Sequence, residues 1–168
     1  MTVPGPTRQA LIGAGANLGD RRATLEAALA KLRAQPGVVS ITRSAFYETA
    51  PVGLLEQPAF LNLAAGIETT LTPEGLMTAL LGIEQEFGRV RTVRWGPRTL
   101  DLDLLAFEGE TRAGDFLTLP HPRMLGRAFV TVPLRELLAR EPFKSKWSEL
   151  RAALGPGGVE QGVRRLES

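Results

Sequence analysis

Two aspartates, Asp101 and Asp103, have the residue type and the spacing of a magnesium-binding pair. They lie in residues 99–104, where polar and apolar side chains alternate strictly, as is typical of a β-strand with one buried face. Alternate side chains of a strand share a face, and a rise of about 3.3 Å per residue puts the two Cα atoms about 6.5 Å apart. Magnesium binds one or two protein carboxylates together with water and substrate phosphates. The spacing therefore predicts a metal site, and its alternative is the polar face of a half-buried strand.

A cluster of basic residues directly precedes this pair. No acidic residue lies between Phe87 and Leu100, and the arginines found there are Arg89, Arg91, Arg94 and Arg98. Arginine binds phosphate groups through paired hydrogen bonds. Together with carboxylates for a metal ion, the cluster predicts a polyphosphate substrate that bridges the metal and the arginines. A solvated basic loop is the alternative interpretation.

The first glycine cluster has the setting of a dinucleotide-binding motif but not its spacing. Gly13, Gly15 and Gly19 follow the pattern G-x-G-x-x-x-G, one residue longer than the usual form. Residues 33–43 contain no Asp or Glu that could bind a ribose hydroxyl. The cluster therefore favours a tight turn between a strand and a helix, and a nucleotide-dependent oxidoreductase stays only as an alternative function.

Nucleic-acid binding is an alternative of a different class, in which Trp95 would stack on a base. Such a module needs a basic stripe across the domain. Here 20 basic residues, of which 17 are arginine, stand against 18 acidic ones, and the net charge is only +2. Ionic strength separates the two functions, because nucleic-acid binding weakens steeply with salt, whereas nucleotide binding depends mainly on magnesium.

Length and composition predict one domain, residues 1–168, with flexible tails at 1–8 and 155–168. A chain of 168 residues with 43% hydrophobic residues has the size of a single folded unit. The chain has no cysteine and one histidine, His121, which excludes disulfides and thiolate metal sites. Residues 1–6 lack the basic and apolar blocks of a signal peptide, and no apolar run reaches the length of a membrane span. A cytoplasmic location is expected.

The elements that must position these residues are strands interleaved with two helices. Strands are predicted at residues 9–15, 38–47, 59–70, 99–104 and 117–119. One helix is predicted to begin after Asp20 as N-cap, and another after Thr72 with Pro73 in its first turn. Residues 121–129 read as a loop with one helical turn. This order predicts a sheet covered by helices, of the α+β or α/β class.

Four stretches of the sequence carry a specific resemblance. They are LIGAGANLGDR at 11–21, FYETAPVGLLEQPAFLN at 46–62, IEQEFGRVRTVRWGPRTLDLDLL at 83–105 and LPHPRMLGRAF at 119–129. In this order they resemble the hydroxymethyldihydropterin pyrophosphokinases of folate biosynthesis. The resemblance implies transfer of diphosphate from ATP to the hydroxymethyl group of 6-hydroxymethyl-7,8-dihydropterin, with release of AMP. The alternative oxidoreductase would then act on a pterin.

The resemblance also implies an α+β fold, a three-layer α/β/α sandwich with a ferredoxin-like core and a mixed, largely antiparallel sheet. It implies two Mg²⁺ ions and a monomeric cytoplasmic enzyme with no nucleic-acid or membrane partner. The metal pair falls on Asp101 and Asp103. The ATP-binding positions fall on Glu84, Arg91, Arg94, Trp95, Arg98, His121 and Arg127, of which Arg98, His121 and Arg127 act in catalysis. The pterin-binding positions fall on Thr49, Ala50, Val52, Phe60, Asn62, Trp95 and Phe129, with Phe60 and Phe129 as stacking aromatics.

Overall fold

The computed structural model describes residues 6–17, 19–49, 60–88, 100–155 and 163–166. The strands are β1 (Arg8–Ala16), β2 (Val38–Arg43), β3 (Tyr47–Thr49), β4 (Phe60–Thr69), β5 (Asp101–Phe107), β6 (Arg112–Ala113), β7 (Thr118–Leu119) and β8 (Val163–Arg165). The helices are α1 (Arg21–Arg33), α2 (Pro73–Gly88), α3 (Ala128–Leu138), α4 (Phe143–Lys146) and α5 (Ser148–Leu154), and Met124–Gly126 forms a 3-10 turn. None of the helices in these ranges is long and apolar enough to cross a membrane.

The main sheet has six strands, and every pair of strands in the described ranges is antiparallel. The strand order is β5-β1-β4-β3-β8, and β2 pairs with the other half of the long strand β4. The units β1-α1-β2 and β4-α2-β5 therefore give the strand order β5-β1-β4-β2, which is the arrangement of a ferredoxin-like fold. This confirms the predicted α+β core.

Helices cover both faces of the sheet and form two separate clusters of buried side chains. On one face, α1 and α2 pack against the even-numbered residues of β1, such as Ile12 and Ala14. On the other face, α3, α4 and α5 pack against Leu11 of β1, Ala64 of β4 and Leu105 of β5. Burial of apolar surface stabilises such layers by about 25 cal/mol per Å². The structure thus confirms three layers, and the face covered by α3 is called the α3 face below.

Both predicted helix starts are confirmed, together with their capping interactions. The Asp20 carboxylate accepts a hydrogen bond from Ala23 N at 3.0 Å, at the first turn of α1. The Thr72 hydroxyl accepts one from Gly75 N at 3.0 Å, directly before Pro73 opens α2. Each bond satisfies an amide that has no partner within its helix. These starts depend on local chemistry, which explains why the sequence predicts them.

The strand predicted at residues 38–47 is wrong in its middle, because β2 ends at Arg43 and β3 begins at Tyr47. Ser44 causes the interruption. Its hydroxyl donates to Ala45 O at 2.8 Å and accepts from Ala64 N at 3.0 Å, so a side chain takes the place of a ladder contact. Such local side-chain bonds compete with regular pairing.

The loop predicted at residues 121–129 is followed by helix α3, which begins at Ala128 and which the sequence does not predict. Pro133 lies inside this helix, where proline costs about 3 kcal/mol. Leu134, Leu137 and Leu138 of the same helix are fully buried against the sheet. Burying three leucines offsets that cost, at about 1.5–3 kcal/mol for each side chain.

The expectation of a tail without structure at 155–168 is wrong for Val163–Arg165, which form β8. This strand pairs antiparallel with β3, so that Tyr47 lies opposite Arg165 and Thr49 opposite Val163. Leu166 N also donates to Phe46 O at 2.8 Å. The strand carries no local signal, since its pairing with β3 joins residues more than 100 positions apart.

Candidate functional site

The register of the three central strands places the predicted metal pair, Asp101 and Asp103, and the predicted pterin-binding residue Asn62 on one face of the sheet. Gly15 of β1 lies opposite Asn62 of β4 on one side and opposite Asp101 of β5 on the other. Two residues further along, Gly13 lies opposite Asp103. These residues are in phase with Ala64 and Leu105, which pack under α3. All of them therefore lie on the α3 face, because alternate residues of a strand share a face.

Asn62 is buried, and its amide group has a defined place. Its Nδ2 donates to Thr49 Oγ1 at 2.8 Å, which links the two strands β3 and β4. Its Oδ1 lies directly over Gly15, where a Cβ atom would come within 2.6 Å of it. The absence of a side chain at Gly15 thus makes the room in which the Asn62 amide lies.

The carboxylates of Asp101 and Asp103 suit magnesium better than a metal that takes all of its ligands from the protein. Both residues are partly exposed, whereas the intervening Leu102 is buried. In the ranges that the structure describes, no group of three or more His, Cys, Asp or Glu side chains could hold a metal ion. A magnesium ion that takes its remaining ligands from phosphates and water fits a pair of this kind.

Glu84 supports the acidic pair from the opposite side of β5. Its Oε2 accepts a hydrogen bond from Leu102 N at 2.7 Å, between the two aspartates. Helix α2 therefore fixes the strand from which the two carboxylates predicted to bind metal project. This contact is one that the sequence does not predict, because it joins residues 18 positions apart.

His121 and Arg127 lie in the segment that leads from β7 to α3. His121 N donates to Leu105 O at 2.8 Å, and the Nδ1 atom of its ring accepts from Arg123 N at 3.2 Å. With Nδ1 occupied as an acceptor, Nε2 is the ring nitrogen left to donate a hydrogen bond to an anion. The Arg127 guanidinium lies 5.5 Å from the centre of the Phe129 ring, a cation–π distance.

Phe60 and Phe129 come from different layers. Phe60 opens β4 opposite Thr49, and Phe129 is the second residue of α3, packed against the cluster under that helix. Both rings are partly buried. The remaining predicted site residues, Ala50, Val52, Arg91, Arg94, Trp95 and Arg98, lie outside the described residues.

Comparison with known proteins identifies the family. Residues 11–139 match the family model of 7,8-dihydro-6-hydroxymethylpterin-pyrophosphokinase. The chain belongs to this family. It is 44% identical over 154 residues to the 2-amino-4-hydroxy-6-hydroxymethyldihydropteridine pyrophosphokinase of Methylorubrum extorquens, covering 91% of this chain and 98% of that protein. It is 48% identical over 129 residues to the enzyme of that name from Bacillus subtilis, covering 76% of this chain and 77% of that protein.

Comparison with solved structures supports the fold described above. A crystal structure of an HPPK-DHPS protein in complex with substrates superposes with a TM-score of 0.63 at 12% identity. The match covers 96% of this pyrophosphokinase-family chain and 47% of the solved one, so the chain spans about half the length of that protein. At this identity the likeness concerns the fold.

Glu136 of α3 joins the two layers that carry the predicted pterin-binding residues. Its carboxylate accepts from Tyr47 Oη at 2.5 Å, from Ala45 N at 2.8 Å and from Arg165 Nε at 3.1 Å. These partners belong to β3, to the segment before it and to β8. The carboxylate therefore holds α3, with Phe129 at its start, against the strand that carries Thr49. No signal in the sequence predicts this contact, since Glu136 lies 89 positions from Tyr47.

Tyr47 is expected to titrate only at high pH. Burial and the neighbouring Glu136 carboxylate raise the pKa of Tyr47 from 10.0 to about 12. The stability that its protonated hydroxyl contributes is therefore complete below pH 10 and is lost as the pH rises towards 12. Tyr47 is the only tyrosine of the chain, so the ultraviolet absorbance of tyrosinate reports it alone. The folded protein should titrate near pH 12 and the urea-unfolded protein near 10; equal midpoints would contradict the hydrogen bond to Glu136.

Glu136 has the opposite dependence on pH. Burial by itself would raise its pKa, but the hydrogen bonds from Tyr47, Ala45 N and Arg165 outweigh burial and lower the pKa. Its contribution to stability is therefore present above its ordinary pKa and is lost as the pH falls through the lowered value.

Substituting alanine for Gly15 should weaken pterin binding by about tenfold, which is about 1.4 kcal/mol. The new Cβ would meet Asn62 Oδ1 at 2.6 Å, so the amide must turn and lose its bond to Thr49. Gly13→Ala is the matched control, because a Cβ there meets only Leu105 at 3.7 Å, an ordinary contact. Calorimetric titration of both variants with pterin tests this, and equal affinities would contradict the role assigned to Gly15.

Proposed function

We propose that this chain transfers the diphosphate of ATP to the hydroxymethyl group of 6-hydroxymethyl-7,8-dihydropterin, a step of folate biosynthesis. Family membership over residues 11–139 supports this activity. The observation that carries it is the row formed by Asn62, Gly15 and Asp101 across three neighbouring strands. An amide that can pair with a heterocycle and a carboxylate that can bind a metal ion thereby lie on either side of Gly15.

The pterin would bind over the Asn62 side of this row. A flat heterocycle needs aromatic faces and a few fixed polar partners. Phe60 and Phe129 would stack on its two faces, and the amide of Asn62 would pair with its edge. Thr49 would hold that amide in place, while the proposed site also includes Ala50, Val52 and Trp95.

The nucleotide would bind on the Asp101 side. Asp101 and Asp103 would hold two Mg²⁺ ions, and bound magnesium neutralises charge on phosphate oxygens. The proposed ATP-binding residues are Glu84, Arg91, Arg94, Trp95, Arg98, His121 and Arg127. Among these, His121 Nε2–H would donate a hydrogen bond to a phosphate oxygen, and Arg98 and Arg127 would offset the charge of the transferring group.

In the reaction, the hydroxyl oxygen of the pterin attacks the β-phosphorus of ATP. The bond from that phosphorus to the oxygen bridging it to the α-phosphate breaks, AMP leaves in line, and the hydroxyl proton passes to water. Positioning and charge stabilisation dominate phosphoryl transfer, so the chief task of this chain is to hold both substrates in register. We further propose that the chain acts as a single-domain monomer in the cytoplasm.

A direct test is to incubate the protein with magnesium, ATP and 6-hydroxymethyl-7,8-dihydropterin and to separate the nucleotides. AMP and the pterin diphosphate should form together in equal amounts, and only when both magnesium and the pterin are present. Formation of ADP instead of AMP would exclude diphosphate transfer. Reduction of the pterin at the expense of NADPH would instead support the oxidoreductase alternative.

A further inference from the structure

Asn17 carries a buried hydrogen-bond acceptor that the fold leaves unused. The residue is 2% exposed and follows β1 directly. Within the described part of the chain, its Oδ1 is the one buried side-chain polar atom without a hydrogen-bond partner. Buried polar atoms are nearly always paired, because burying them without a partner costs free energy. A buried acceptor without a partner in the free protein points to a donor that a bound ligand supplies.

The register places Asn17 beside the proposed pterin site. Ala16 lies opposite Leu61, so continuing the ladder by one residue puts Asn17 next to Phe60. Asn17 is also in phase along β1 with Gly13 and Gly15, the residues between the Asn62 and Asp101 sides. Since both of those residues are glycines, the next side chain in phase after Leu11 is that of Asn17, directly after β1.

The chemistry of a carbonyl oxygen excludes the phosphates of ATP as its partner, and its place next to Phe60 favours the pterin over the amino and hydroxyl donors of the nucleoside. Ionised phosphates carry only acceptors and cannot bond to it. A dihydropterin carries several N–H groups on its ring and its exocyclic amine, all of which are donors. We propose that Asn17 is a second pterin-reading amide, whose Oδ1 accepts a hydrogen bond from an N–H group of the bound pterin. This inference rests on the proposed function. It adds Asn17, a residue outside the predicted site, to those that recognise the pterin.

The test uses Asn17→Leu, which removes the acceptor but keeps the branched shape and the number of heavy atoms of the side chain, and Asn17→Ala, which removes it with a cavity. Loss of one hydrogen bond should raise the Kd of the pterin at least about tenfold in both variants. The Kd of a non-hydrolysable magnesium–ATP analogue should stay unchanged. Because Oδ1 makes no hydrogen bond in the free protein, its loss should not by itself lower the unfolding midpoint, which is measured for both variants.

Ser44→Ala is the control for burial. Ser44 is also buried, but its hydroxyl is bonded to Ala45 O and Ala64 N. This variant should have a lower unfolding midpoint and the wild-type affinity for both ligands.

Three results separate the possibilities. If wild-type protein forms AMP from the pterin while both Asn17 variants bind pterin normally, the inference fails and the proposed function stands. If the variants weaken the ATP analogue alone, the acceptor serves the nucleotide or a metal-bound water, and the inference fails as well. If wild-type protein forms no AMP at all, the proposed function itself fails.

Discussion

Replacing Asp101 or Asp103 by alanine is expected to lower kcat/KM for AMP formation by at least about 100-fold, equivalent to about 3 kcal/mol of transition-state stabilisation. Each substitution removes one of two carboxylates on a strand held by Gly13 and Gly15 on one side and by Glu84 on the other. The loss concerns charge stabilisation in the transition state, because the substrate phosphates would keep most of their other partners.

The fold should survive both substitutions, since the two side chains are only partly buried. Circular dichroism and the unfolding midpoint check this. Asp115→Ala is the matched control, because Asp115 is an exposed aspartate in the loop before β7. Its activity should equal that of the wild type. Turnover near the wild-type rate in Asp101→Ala or Asp103→Ala would show that these carboxylates do not hold the metal.

Asn62→Ala should weaken pterin binding by about 1–3 kcal/mol and leave ATP binding nearly unchanged. The amide is buried, and its bond to Thr49 fixes the direction in which its remaining polar groups face. Removing it leaves the polar edge of a bound heterocycle without partners, which is more costly than losing a contact with water. Calorimetry with each ligand measures the two affinities separately.

A control from the same strand separates substrate reading from support of the fold. Thr69 is a buried polar residue at the far end of β4, where its hydroxyl donates to Gly37 O at 2.7 Å. Thr69→Val should lower the unfolding midpoint without changing either affinity. If Asn62→Ala weakens both ligands equally, Asn62 supports the fold and does not read the pterin.

Features that depend on residues close together in the chain can be predicted from the sequence. The alternation around Asp101 and Asp103 predicts a strand with both carboxylates on one face, and the structure confirms the strand. The caps at Asp20 and Thr72 are interactions across three residues, so their residue types suffice. Helix α3 was missed because Pro133 is a strong local signal against a helix, and the burial that overrides it comes from the sheet.

The family resemblance predicts which residues form the site but not the contacts that position them. Glu84 resembles an ATP-binding position, and the structure adds its bond to Leu102 N at 2.7 Å. Glu136 lies outside the resembling stretches, yet its carboxylate joins α3, β3 and β8. Such contacts arise from the packing of layers, for which a single sequence carries no periodic signal.

By itself, the sequence predicts a carboxylate pair spaced for magnesium and arginines for phosphate, and its family resemblance adds aromatic and amide groups for a heterocycle. The tertiary structure decided which of these meet. Gly15 separates Asn62 from Asp101 because β1 pairs with β4 on one side and with β5 on the other, and those partners lie 47 and 86 positions away in the chain. Register between distant strands follows from the burial of entire faces, and a shift of one residue would turn every side chain of β5 to the opposite face.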